Sequence, residues 1–436
     1  MRMRLLLGTL GLATAAMVVD AVPNAAPATS RHTVERDTAD ADPVARLQAR
    51  LDAGVATLAH DSAFGYLPAL LRALDIPLSS QGLVFSRTSL QTDKITPWSP
   101  RALYFNDDVY IGYVQESDFL EIAAMHPTKG AVFYTLTQHV TEKPAFERET
   151  RTCLMCHQSR AATGGVPGLM VLSSITDKYG YPITGVHEGG MTDATPIRQR
   201  WGGWYVTGTH GVGTSGSAGH SGNVYSPRFR HEIPNKERYR TEFDLTTESD
   251  RTTLDGKFDP APYPSAHSDI VALMVLVHQT TVHNLIAGLH EIAEVTPDAA
   301  EHDGSVESTR LHGAVERLLR AMLFGQEARL AGPMRGTTSF AADFASLGPR
   351  DAHGRSLRDF DLETRLFRYP LSFLIYSESM DALPPVAQRA YYRRLEAILQ
   401  GAEQDGAYAH LTPADGTAIR EILAATKPAY VSSVGR

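Results

Sequence analysis

Cysteine is the scarcest functional residue of this chain, with two in 436 residues. So few thiols exclude a disulfide-stapled scaffold. A structural zinc site is also disfavoured, because it needs four Cys or His ligands at short spacing and no second cysteine pair exists. An excess of positive charge is lacking too: 41 Lys and Arg stand against 49 Asp and Glu, for a formal charge of −8. Nucleic acid is therefore not an expected partner. The N-terminal apolar run, Leu5 to Val19, falls short of the roughly 20 residues a membrane span needs. A hydrophobic content of 43% and a charged content of 21% are those of a soluble globular protein.

Both cysteines stand together, in Arg151-Thr-Cys153-Leu-Met-Cys156-His157. This is the spacing for covalent attachment of a c-type haem, with thioethers from Cys153 and Cys156 and His157 as the proximal iron ligand. A thioredoxin-like redox pair wants a βαβ setting, whereas the 30 residues before Cys153 read as a strand pair followed by a polar loop. One covalent haem c is the expected cofactor. The expected function is that of a monohaem c-type cytochrome exchanging single electrons with a redox partner protein or a small-molecule donor or acceptor.

The N-terminus agrees on independent grounds. Arg2 and Arg4 precede the apolar run, and the small residues of Val22-Pro-Asn-Ala-Ala-Pro-Ala follow it, which predicts an export signal over residues 1–26. The periplasm or the exterior is the expected location. Residues 27–42 are small, charged and without period, and read as a flexible leader.

The pattern predicts an α+β fold in three regions. Over 43–150, Val44, Leu47, Leu51, Val55 and Leu58 recur at helical spacing, and a second helix runs from Tyr66 to Leu74. A four-strand antiparallel meander follows, with turns at Asn106-Asp-Asp108 and His126-Pro-Thr-Lys-Gly130. Residues 151–264 hold the haem motif and a Gly- and aromatic-rich loop region. Residues 265–436 are mainly helical and are expected to pack on the haem region. The expected helices there run from an N-cap at Ser268 to Ala293, from Val306 to Ala331, from Val386 to Gln400 and from Ala418 to Ala425.

The iron's sixth position separates electron transfer from substrate chemistry. His210, in Trp201-Gly-Gly-Trp-Tyr-Val-Thr-Gly-Thr-His-Gly, is the candidate distal ligand, since close-packing glycines and aromatic residues suit a flat macrocycle. Met191 is the alternative. Gly211-Val-Gly-Thr-Ser-Gly216 imitates a dinucleotide-binding fingerprint but lacks the helix that motif requires. His220 and Asn223 are either pocket lining or solvated. In the long helix, Gln279, His283 and His290 share a stripe while His278 and Asn284 point elsewhere, so no single metal collects them. These polar residues also argue against a membrane span in the mature chain. Arg365 and Arg368 can pair haem propionates or nearby carboxylates.

The Cys153–His157 motif, the Trp201–Gly211 segment and the stretch from Arg365-Leu-Phe-Arg-Tyr-Pro to Asp381-Ala-Leu-Pro together resemble a group of exported bacterial proteins carrying one haem-c motif. The likeness runs from about Leu103 to Leu399 and implies haem-c binding without an assigned activity. The chain is far larger than a small cytochrome c and places about 125 mature residues before the motif. That bulk keeps a second class open: a haem-dependent peroxidase- or oxygenase-like enzyme, in which His210 or His283 is the distal acid/base over an open iron. A haem-based gas-binding module is a third.

Overall fold

In a computed structural model, residues 42–186, 189–211, 219–233, 243–297, 305–402 and 406–434 are described. The predicted export signal lies outside them, as does the predicted leader apart from its last residue. Asp42 is buried and caps the first helix, its Oδ1 accepting the backbone N–H groups of Val44 and Ala45.

That helix, α1 (Pro43–Asp52), is shorter than the apolar period suggested, because the chain turns at Gly54 (φ +70°) and Val55 is exposed. With α2 (Leu67–Ala73) it covers one face of a seven-stranded antiparallel sheet. Six strands follow one another as a meander: β1 (Gly82–Val84), β2 (Arg101–Phe105), β3 (Val109–Tyr113), β4 (Phe119–His126), β5 (Gly130–Thr137) and β6 (Phe146–Glu149). Strand β6 occupies what the sequence presents as a polar loop, with only one large apolar residue, Phe146. The period-2 pattern works as side chains alternate between two cores. Tyr104, Ile111, Ile122 and Tyr134 face α1 and α2, whereas Phe105, Tyr110, Ala123 and Phe133 face the C-terminal helices.

After the sheet come two single helical turns, α3 (Leu154–His157) and α4 (Arg160–Thr163), and a minor hairpin of β7 (Leu172–Ser173) with β8 (Gly189–Gly190). Strand β9 (Trp204–Tyr205) then returns to pair with β1 and closes that edge of the sheet.

The central helix, α5 (Ile270–Glu294), is capped by Asp269 and not by Ser268. Asp269 Oδ1 accepts from Val271 N–H and Ala272 N–H, and its Oδ2 accepts from Thr337 N–H, Thr338 N–H and the Thr338 hydroxyl. Ser268 is committed to the sheet: its Oγ accepts Leu83 N–H and donates to Tyr205 O. Helix α5 is the one described helix long and apolar enough to cross a membrane, and 83% of its most apolar window is buried inside the fold. It is a core helix.

Around it pack α6 (Val306–Met322), α7 (Phe340–Ser346), α8 (Glu378–Asp381), α9 (Pro385–Leu399), α10 (Pro413–Thr426) and α11 (Pro428–Val434). The apolar period had carried α6 on to Ala331. It stops at Met322 because Phe324 adopts a left-handed φ of 57° ahead of Gly325. Helix α10 begins earlier than its apolar residues do, since Thr412 and Asp415 form a reciprocal cap around Pro413.

Candidate haem-attachment site

The motif occupies a single turn. His157 N–H bonds to Cys153 O at 3.0 Å, and α3 places Cys153 and Cys156 three residues apart on one side. Both thiols are free. Cys153 is half-buried against the main core and Cys156 is exposed. Burial and the carboxylates of Glu149 and Glu121 push the Cys153 thiol up to about 11.

His157 is held by a clasp. Its Nδ1 donates to Gly168 O at 2.9 Å, and Gly168 N–H donates back to His157 O at 2.8 Å. Donation from Nδ1 fixes the tautomer that leaves a lone pair on Nε2, the usual arrangement for a metal-ligating histidine. Burial lowers the pKa of this imidazole and so favours the neutral form. Phe133 of β5 lies beside the ring, with centroids 4.8 Å apart. The Arg101–Glu121 ion pair, at 2.6 Å, lies on the same face of the sheet.

The clasp is itself pinned from both sides. On the sheet side, Ala131 N–H donates to Pro167 O at 2.8 Å. On the helix side, Asn284 of α5 accepts Leu169 N–H at 2.8 Å and donates to Leu169 O at 2.7 Å. Gly168 is required there, because a Cβ at that position would stand 2.2 Å from Asn284 Oδ1. The residues thus suit a covalently attached haem: two free thiols on one turn, and a histidine oriented through its far nitrogen. Gly168 and Asn284 as positioning residues were not legible in the sequence.

No protein-family profile, curated protein or solved structure matches this chain at a significant level.

Met191 is buried, and its sulfur accepts Trp201 N–H at 3.0 Å. His210 belongs to a second cluster with His220, ring centroids 5.5 Å apart, and with Trp201, 5.4 Å from His220. Both histidines are buried; among the described residues neither ring nitrogen of His210 has a hydrogen-bond partner, nor has His220 Nε2. Burial drives the His220 pKa down to about 3. Asp250 Oδ1 accepts His210 N–H at 2.7 Å but lies 3.7 Å from its Nε2.

Gly208, two residues before His210, lies against Ile270 at the start of α5, whereas the clasp around His157 is pinned at Asn284. About 21 Å of helix separates these two anchor points. The fold does not bring His210 to His157. Asn223 is neither lining nor solvated: it bonds Val206 N–H and O and Glu248 O, fastening its loop to the strand region.

The polar residues of α5 are core groups, and their polar atoms are satisfied except for His283 Nδ1, which is buried without a partner among the described residues. Gln279 donates to Asn106 O and the Tyr110 hydroxyl, His283 Nε2 donates to Asp107 O, and His290 Nε2 donates to Ser379 O. His278 joins Asp193 at 2.7 Å through Nδ1 and Ser372 Oγ at 2.8 Å through Nε2. That connectivity is the one a nucleophilic serine uses. Here Ser372 and His278 are wholly buried, and the cleft lined by Asp193 includes neither of them. Arg365 pairs with Asp415 at 2.7 Å, and Arg368 lies against Tyr369. Among the described residues no three His, Cys, Asp or Glu side chains converge on a metal position.

Proposed function

We propose that the chain is an exported, periplasmic or secreted, monohaem c-type cytochrome, with haem bonded to Cys153 and Cys156 and ligated by His157. The observation that carries this reading is the His157–Gly168 clasp, which leaves Nε2 free and aimed by a hydrogen bond. A bound haem supplies a one-electron iron couple. The protein's own part is to orient His157 through Gly168 and Asn284 and to place Phe133 beside the imidazole. The exposed Cys156 and Met155 put the attachment turn at the surface, where a redox partner protein or a small electron donor reaches it.

A second reading is favoured by one observation: the segment carrying His210 is anchored at Ile270, about 21 Å along α5 from the Asn284 that pins the clasp around His157. A haem ligated by His157 alone would have an open iron position, as in a peroxidase- or oxygenase-like enzyme or a gas-binding module. The visible spectrum of exported, haem-matured protein, reduced and with carbon monoxide, separates the two. A low-spin haem inert to carbon monoxide supports the electron carrier, and a high-spin haem that binds it supports the second reading. Covalent haem absent after export and maturation sinks both.

A further inference from the structure

Between α5 and α6 lies a cleft of about 460 Å³. Thr281 and Leu285 of α5, Ala321 of α6 and Phe324 beyond it form its wall, with the Thr192–Ala194 segment closing one side. Four ionisable side chains line it: Asp193, Glu316, Arg317 and Arg320. The two carboxylates are already committed. Asp193 is bonded to His278 at 2.7 Å, and Glu316 accepts from Arg394 Nε at 2.9 Å and from the Tyr408 hydroxyl at 2.7 Å.

The two arginines are not committed. Neither has a carboxylate partner among the described residues, and Arg320 Nε is buried without any acceptor. Being three residues apart on α6, they present their guanidinium groups on one side of the helix. An unpaired arginine fork selects planar carboxylates, and the Leu285 and Phe324 wall selects hydrocarbon.

We propose that this cleft binds the carboxylate of an apolar molecule through Arg317 and Arg320. Two sources carry that chemistry: the propionates of a haem on His157, or a free apolar carboxylate. Leu285 in the wall is on the same turn of α5 as Asn284, which pins the clasp around His157, with its side chain about 100° around the helix. The first source rests on the haem reading above and the second does not.

The test uses the exported full-length protein and Arg317→Gln/Arg320→Gln, with Arg50→Gln, exposed on α1, as the control. In one arm octanoate is titrated calorimetrically; in the other the haem midpoint potential is measured. Binding of octanoate to the parent, weakened about tenfold or more in the double variant and unchanged in the control, supports the free-carboxylate source. A lowered potential in the double variant alone supports the propionate source, since removing positive charge favours the oxidised haem. The single variant Arg320→Gln gives the same sign with a smaller effect if folding of the double variant is impaired. No octanoate binding together with an unchanged potential overturns the proposal. If no haem attaches, the octanoate arm decides it alone.

Discussion

Gly168 shows how closely the histidine's surroundings are fitted. Its missing Cβ leaves room for Asn284 Oδ1, and its carbonyl orients His157. Gly168→Ala therefore forces Asn284 out and loosens the clasp, at an expected cost of about 2–3 kcal/mol in urea unfolding. Asn284→Ala removes the obstacle but also two hydrogen bonds. The double variant is accordingly expected to be less destabilised than the sum of the two singles; strict additivity would contradict the contact.

Asp108 makes a separate residue-scale prediction. Burial, with the neighbouring Asp107 and Glu378 charges, raises its pKa from 3.8 to about 7. A folded pKa above the unfolded one means that its stabilising contribution is complete below about pH 4 and lost as pH rises through about 7. The thermal midpoint of Asp108→Asn should therefore gain on the parent between pH 4 and pH 8. A gap that narrows over that range would show the sign to be wrong.

At the scale of elements, the sequence was most legible where one residue type has one job. The β-hairpins around Asn106 and His126 were readable because their side chains alternate between two cores. Strand β6 was not, since an edge strand carrying Glu147, Arg148 and Glu149 has no apolar alternation to detect. The cap of α5 is Asp269, one residue beyond the expected Ser268: both are competent caps, and the choice depends on Thr337 and Thr338, some seventy residues away. Asp269 accepts from five donors and is buried, so Asp269→Ala is expected to cost about 2–4 kcal/mol, read as a lowered urea midpoint. A change below about 0.5 kcal/mol would show that the cap is dispensable.

At the scale of the molecule, the Cys153–His157 turn sits where the sheet, through Phe133 and Ala131 of β5, meets α5 through Asn284. The Cys-x-x-Cys-His motif located this turn because it is local in sequence. Its supports were hidden because Gly168 and Asn284 gain meaning only by meeting across 116 positions, and nothing local marks the pair. The same holds for His210, whose aromatic and glycine-rich segment is fastened to the far end of α5.

Covalent haem attachment is the claim on which the whole account stands. The deciding measurement is a haem stain of the denatured protein after export through a cell that matures c-type cytochromes, with the stoichiometry from a pyridine haemochrome spectrum. One haem per chain, lost in Cys153→Ala/Cys156→Ala, is the expected result. A mature protein without covalent haem, or haem retained in that double variant, would contradict it.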